Sequence, residues 1–284
     1  MISRFAVKEE IESYPFQEVL KRLRALHHQY NLPDFHGINM DRYPWSAGMQ
    51  SGSEIYASRL WEYPFAILEG QPGGKTCVDI GCGMSEFTIY LKEVSEELIG
   101  VDPDLFKAGT KGPGFGVSAE YLERTDLNVV TTTERLMTNC YDRVFCISVI
   151  EHLPRRGVAH LVREMTRILK PGGQLIMTVD VNIHYDMARP LSLIWESGLV
   201  PIGELDLRWP TKRFGKADDN NFSADVYGMV LEKPDEFIAE FYSDLNISGG
   251  IRQSEIPSIR HKSEKRVFKP LRLKRWFKAE YMGR

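Results

Sequence analysis

Between Thr76 and Val181, short runs of almost continuously apolar residues alternate with stretches of helical periodicity, and that alternation leaves few folds open. The runs are CVDI (77–80), ELIGVD (97–102), LNVVT (127–131), RVFCIS (143–148) and QLIMTVDV (174–181). A strand with one wet face alternates apolar and polar side chains; a strand covered on both faces need not. These runs barely alternate, so they predict parallel strands sandwiched between layers of helices. The spacers hold candidate crossover helices. One runs from about Ser85 to Val94; another covers 155–169 and is closed by Lys170, Pro171, Gly172 and Gly173. Repeated strand–helix units predict a doubly wound, mostly parallel α/β sheet with right-handed crossovers.

Flanking segments add helices and loops. Residues 8–30 carry Ile11, Val19, Leu20, Leu23 and Leu26 at helical spacing with charges between them, and Pro33 stops the pattern. Residues 31–52, rich in Gly, Pro, Asn and Ser, read as a loop. A second helix is predicted from Ser53 to residue 69, ended by Gly70, Pro72, Gly73 and Gly74. Downstream come a helix near 187–197, a strand over 199–207, a polar loop over 209–223 and a last strand, DVYGMVLEK (225–233). The 284-residue chain thus divides into an N-terminal helical and aromatic cap (1–74), a central α/β domain (75–233) and a C-terminal helix with a basic tail (234–284).

Composition excludes several classes. An apolar share of 43% rules out a disordered chain. No run of about 18 apolar residues is available for a membrane helix, and the N-terminus carries charges where a signal peptide needs an apolar stretch. Cys77, Cys82, Cys140 and Cys146 form no CxxC pair, which suits reduced thiols of a cytoplasmic protein rather than a disulfide framework or zinc site. A net charge of −3 argues against a dedicated nucleic-acid binder.

Ligands of open α/β sheets bind beyond the carboxyl ends of the strands. The first run ends there in VDIGCGMSEF. Gly81 and Gly83 allow a tight turn and close approach of a ligand to the backbone, and the helix from Ser85 aims its free amides at the same place. Asp79, at the tip of a buried strand, is costly to charge unless it binds something. The second run ends in Asp102, where an acid can take both hydroxyls of a ribose. Acid, GCG, helix start and second acid together indicate a nucleoside-bearing cofactor. A dinucleotide fingerprint needs a third glycine, but that position is Glu86. Glu86 and Asp79 would repel a pyrophosphate; they suit a cationic group.

Four segments resemble the motifs of class I S-adenosylmethionine-dependent methyltransferases: CVDIGCGMSEF (77–87), IGVDPD (99–104), YDRVFCISVIEHLP (141–154) and RILKPGGQLIMT (167–178). DVYGMVLEK is similar to the family's last hairpin, and the match spans roughly residues 75–233. The resemblance implies a Rossmann-like fold with a seven-stranded sheet and S-adenosyl-L-methionine as cofactor. It places Asp79, Gly81, Cys82 and Gly83 at the methionine part, Asp102 at the ribose, Pro103 and Asp104 near the adenine, and Ser148 beside the sulfur. One position departs from the family. Thr132 stands where many members carry an acid that meets the adenine amine, so Thr133, Glu134 or a backbone amide has to substitute.

Methyl transfer from a sulfonium needs alignment of nucleophile, carbon and sulfur, and a base only for a poor nucleophile such as an alcohol. The candidate bases are His152, whose alternative role is packing or starting a helix, and the loop residues His184, Tyr185 and Asp186. Asp180 and Asn182 lack a third ligand, so no metal is expected. Asp142 is expected to cap or turn at the start of its strand. The aromatics Phe35, Tyr43, Trp45, Tyr56, Trp61 and Tyr63 either cover the core or form a cap over the acceptor, in which case Tyr56 and Arg59 reach the cofactor carboxylate or the substrate. The loop with Arg208, Trp209, Lys212 and Arg213 would close the other side.

Residues 260–284 hold ten Lys or Arg against two Glu. They read as a solvated arm, as a segment that lies on an anionic membrane through Leu271, Leu273, Trp276 and Phe277, or as an RNA contact. The expected activity is methylation of a small-molecule acceptor, an oxygen of a sugar, glycan or secondary metabolite. Its rivals are a methyltransferase acting on RNA or protein, a non-catalytic module that keeps the cofactor pocket, and a nicotinamide dehydrogenase, which Glu86 and Asp79 disfavour.

Overall fold

A computed structural model describes residues 2–32, 58–104, 117–181, 197–206 and 225–235. Within them the chain runs β1 (Ile2–Phe5), α1 (Lys8–Ile11), α2 (Tyr14–Gln29), α3 (Arg59–Gly70), β2 (Thr76–Ile80), α4 (Glu86–Val94), β3 (Glu97–Val101), α5 (Ala119–Thr125) and β4 (Val129–Val130). It continues with β5 (Tyr141–Ile147), α6 (Arg155–Ile168), β6 (Leu169–Val181), β7 (Val200–Pro201), β8 (Glu204–Leu205) and β9 (Asp225–Glu232).

All five apolar runs are strands. They lie in the order β4-β3-β2-β5-β6, and every pairing among them is parallel. β9 then joins β6 antiparallel over eight residue pairs, from Gln174 opposite Glu232 to Val181 opposite Asp225. The seven-stranded outline holds; the two-residue ladders β7 and β8, into which the 199–207 run is divided, bring the sheet to nine strands among the described residues.

Both faces are covered, which is why the runs did not alternate. On one face Leu20, Leu23 and Leu26 of α2, Trp61 and Phe65 of α3, and Phe87 and Leu91 of α4 pack over Cys77, Phe145, Ile176 and Val230. On the other, Val158, Val162, Met165 and Ile168 of α6 pack over Val78, Val144, Cys146, Leu175 and Met177. The adjacent residues Val144, Phe145 and Cys146 of β5 thus go to opposite apolar layers.

Three local readings change. β1 is absent from the apolar runs, yet it pairs antiparallel with β9 and parallel with β8. β6 begins at Leu169, so Lys170-Pro171-Gly172-Gly173 lies within a thirteen-residue strand rather than in a turn that merely closes a helix. Gly172 there has φ +75, its N–H donates to the Lys233 carbonyl, and the register against β5 shifts between Tyr141 and Arg143. Glycine and proline punctuate a sequence, but a bulge absorbs them without ending the strand. Asp142 is no turn residue: its carboxylate accepts from the Thr76 amide (3.0 Å), the Thr76 hydroxyl (2.7 Å) and Lys170 (3.0 Å), joining β2, β5 and β6 at their amino ends.

The predicted loop 31–52 beyond residue 32, the predicted loop 209–223, the helix near 187–197 up to residue 196, and the basic tail lie outside the described residues. The described parts of segment 1–74 are continuous with the central core: α2 and α3 form its covering layer, and β1 is part of the sheet.

Candidate functional site

From β2 the chain steps outward to β3 and β4, then returns to the other side of β2 as β5. The strand order therefore reverses between β2 and β5, and a crevice opens beyond their carboxyl ends. β2 leads into Gly81 (φ +70), Cys82 and Gly83 (φ +51); β5 leads into Ser148 (φ +49). A β-carbon on Gly81 would stand 2.5 Å from Cγ2 of Val149, so close approach and positive φ both require glycine there. A β-carbon on Gly83 would meet nothing within 4 Å, which leaves that part of the loop room for a ligand. The Gly81 amide donates to the Val101 carbonyl at 2.7 Å and ties the loop to β3. Ser85 then caps α4 by accepting from the Thr88 amide at 3.2 Å.

Two acids stand at this edge. Asp79 is 2% exposed and accepts a 2.6 Å hydrogen bond from the Thr88 hydroxyl. Burial pushes its pKa up to about 7 against that hydrogen bond, with Asp102 adding to the rise. Asp102 is 5% exposed; its oxygens accept from the Gly83 amide (3.1 Å) and the Asp104 amide (2.8 Å), fixing the glycine loop to the end of β3. A carboxyl group that sits between charge states near neutrality is poised to meet a cation.

A third carboxylate was missed by sequence reasoning. Glu62, on α3, is 0% exposed. Its Oε1 accepts from the Ser148 hydroxyl (2.6 Å) and the Thr178 hydroxyl (2.5 Å), and its Oε2 accepts from Arg59. Arg59 Nη1 also donates to Ser148 Oγ at 2.6 Å, and its guanidinium lies 5.8 Å from the centre of the Tyr63 ring. Arg59 and Ser148, both assigned to the cofactor from the sequence, are thus brought together at the end of β5. The sequence carries a weak sign of it, since Glu62 interrupts the stretch LWEYPFAIL (60–68), but Arg59 three residues earlier makes the pair look like a surface one.

The remaining candidates scatter. His152 ends a 3-10 turn (Ile150–His152) at the surface. Burial of part of its ring and the nearby Arg59 lower its pKa against the pull of Glu62, which favours the neutral imidazole. The Cys82 thiol is turned onto Gly100, where an added β-carbon would meet Sγ at 2.8 Å. Pro103 and Asp104 are exposed beside Asp102. Thr132 caps a 3-10 turn (Thr133–Arg135) by accepting from the Glu134 amide; Thr133 is buried and Glu134 exposed. Of the two readings of the aromatics, core covering holds for Trp61 and Tyr63. Trp61 stacks on Phe65 at 4.5 Å and donates to Glu10, and Tyr63 stacks on Phe87 at 4.9 Å. Tyr56, His184, Tyr185 and Asp186 lie outside the described residues, as do Asn182, Phe35, Tyr43 and Trp45.

The donor set fits a cationic nucleoside: buried acids at two neighbouring strand tips, a glycine loop with open space between them, and an arginine across the crevice. It does not fit a pyrophosphate, since Asp79 and Asp102 are buried acids flanking the loop; Glu86, which the sequence reading also set against a pyrophosphate, is buried with its carboxylate 3.9 Å from His27 of α2.

Residues 78–177 match the family model described as a methyltransferase domain. The chain is 30% identical over 144 residues to a tRNA U34 carboxymethyltransferase of Trichlorobacter lovleyi, covering 48% of this chain and 43% of that protein. It is 27% identical over 139 residues to a ubiquinone biosynthesis O-methyltransferase of Pseudomonas paraeruginosa, covering 48% and 57%. The chain thus spans about half the length of these curated relatives. Among solved structures, N-methyltransferase NodS from Bradyrhizobium japonicum aligns over 64% of this chain and 99% of its own, with 12% identity and a TM-score of 0.47.

Proposed function

We propose that this chain, whose residues 78–177 match the model of a methyltransferase domain, is a class I S-adenosylmethionine-dependent methyltransferase that binds S-adenosyl-L-methionine in the crevice between β2 and β5 and methylates a small-molecule acceptor. The observation that carries the reading is the pair of buried acids at adjacent parallel strand tips, Asp79 and Asp102, flanking a loop that requires glycine at position 81.

When bound, the cofactor supplies a methyl group already activated on a cationic sulfur. The protein's task is then mainly alignment, which can contribute on the order of 7–11 kcal/mol. In this reading Asp79 and the loop at Gly81 and Gly83 hold the amino-acid half. Asp102 takes the ribose, and Arg59 with Ser148 borders the methionine end. His152, whose surroundings favour the neutral imidazole, is the proposed proton acceptor for an alcohol. His184 and Asp186 are the alternatives from the loop after β6.

An oxygen of a sugar, glycan or secondary metabolite is the proposed acceptor, supported by the net charge of −3, which provides no broad attraction for a polyanion. A second reading, an RNA acceptor, is favoured by the relative named for tRNA and by the ten Lys or Arg of residues 260–284. We place the chain in the cytoplasm, a reading supported by its four free cysteines, three of them buried.

Calorimetric titration with S-adenosylhomocysteine tests the cofactor reading. Binding is expected in the micromolar range and falls at least tenfold, about 1.4 kcal/mol, in Asp102→Ala. A folded wild-type chain that takes no S-adenosylhomocysteine would refute it. Transfer of labelled methyl to glycans or phenols, retained after removal of residues 260–284, separates the small-molecule acceptor from RNA.

A further inference from the structure

The Glu62 cluster is a densely hydrogen-bonded side-chain group at the carboxyl edge of the described sheet, and the domain's glycine loop and strand-tip acids do not account for it. One carboxylate accepts from three elements at once: Arg59 on its own helix, Ser148 at the end of β5, and Thr178 on β6. It is fully buried. A buried charge held this way is not an economical means of stabilising a fold, because desolvation consumes most of the attraction. Its geometric effect is more specific. A carboxylate plane with both oxygens engaged leaves the guanidinium one seat, and here that seat puts Nη1 2.6 Å from Ser148 Oγ. Tyr63 packs against the guanidinium and narrows its freedom further. Arg59 brings a cation to a crevice whose two strand tips carry the acids Asp79 and Asp102.

We infer that Glu62 is a positioning residue that locks Arg59 and Ser148 against the crevice, so that the arginine is pre-oriented for the carboxylate of the cofactor's amino-acid end. This rests on the cofactor reading above. Pre-orientation lowers the cost of ordering a long side chain when the ligand arrives. It also assigns the two ends of a zwitterion: Asp79 faces the ammonium side of the crevice and Arg59 the carboxylate side. Glu62 itself need not touch the ligand.

The discriminating experiment uses two ligands that share the adenosine and differ in the amino-acid end. S-adenosylhomocysteine carries the carboxylate; 5′-methylthioadenosine lacks it. Both are titrated calorimetrically into the full chain, as wild type and as Glu62→Gln. Gln keeps the shape and one acceptor but removes the charge that fixes Arg59. The expected result is at least a tenfold loss of S-adenosylhomocysteine affinity with 5′-methylthioadenosine affinity changed less than twofold. A purely structural role would lower both together, and equal losses overturn the inference. A double variant sharpens it: in an Arg59→Ala background, Glu62→Gln should produce no further loss, because the residue acts through the arginine. An additional loss there overturns it as well.

If Glu62→Gln does not fold, Thr178→Val, which removes one of the two hydroxyls that seat Oε1, should show the same split at two- to fivefold; no split overturns the inference. The two readings fail differently. A wild-type chain that binds neither ligand removes the cofactor assignment and this inference with it. A wild-type chain that binds both, with Glu62→Gln indistinguishable from it, removes only the role of Glu62.

Discussion

Asp79 shows how one side chain can carry a pH dependence. Its pKa lies near 7 because burial disfavours the carboxylate and Asp102 stands close by. A ligand with an ammonium group prefers the charged form, so binding releases a proton from the fraction of Asp79 still protonated. Affinity for S-adenosylhomocysteine should therefore rise with pH through 7 and level off above it, by about five- to tenfold between pH 6 and pH 7.5. Calorimetry at those two pH values checks this, and in Asp79→Asn the slope should vanish along with most of the affinity. Asp79, Asp102 and both loop glycines were legible from sequence because an acid after an apolar run and a glycine pair are conspicuous departures from the local pattern. Glu62 was not. A glutamate three residues after an arginine on a helix reads as a surface ion pair, and only the fold shows it to be buried beneath Ser148 and Thr178.

Among the elements, the β–α alternation was readable because burial of a strand on both faces leaves a continuous apolar run. Short strands leave no such mark: β7 and β8 have two residues each, and β1, with Ser3 and Arg4 in the middle, looks like an ordinary terminus. Ser3 is nevertheless fully buried, and its hydroxyl accepts from the Val230 amide at 3.1 Å, so the polar residue is satisfied by the sheet rather than by water. The same logic applies at the amino edge of the sheet, where Asp142 gathers Thr76 and Lys170. Burial raises the pKa of Asp142, but hydrogen bonds from Thr76 and Lys170 outweigh it and bring the group down to about 2. A folded-state value below the ordinary carboxylate range means that its stabilisation is present above about pH 4 and is lost as pH falls towards 2. Asp142 is partly exposed, which weakens the ion pair. Asp142→Ala should therefore lower stability by about 1–2 kcal/mol at pH 7 through lost hydrogen bonds, with the difference from wild type narrowing between pH 4 and pH 2. Urea unfolding at several pH values measures it.

At the scale of the whole molecule, the sheet is completed by its most distant partners. Arg4 of β1 lies opposite Gly228 of β9, and the Tyr227 hydroxyl donates to the Ser3 carbonyl. Arg4 also pairs with Glu10 and Glu69 and lies over the Phe65 ring at 5.2 Å, tying the start of the chain to the layer that contains α3. α3 is the element that presents Arg59 and Glu62. Deleting residues 1–6 should therefore lower the unfolding free energy by several kcal/mol, since it exposes the β9 edge and uncovers Phe65. It should weaken S-adenosylhomocysteine binding as well, through the loosening of α3. Denaturant titration and calorimetry of the same preparation check both. Unchanged stability would show β1 to be dispensable.

The pairing of β1 with β9 also sets an order in time. Ser3 and its partner Tyr227 are 224 residues apart in the chain. At a translation rate of roughly 5–20 residues per second, the first strand waits about 11–45 s before the ribosome has made the segment it zips onto. The parallel strands can assemble during that interval while β1 stays unengaged. The ladder between β1 and β9, and with it the full width of the sheet, can therefore close only after synthesis has passed β9.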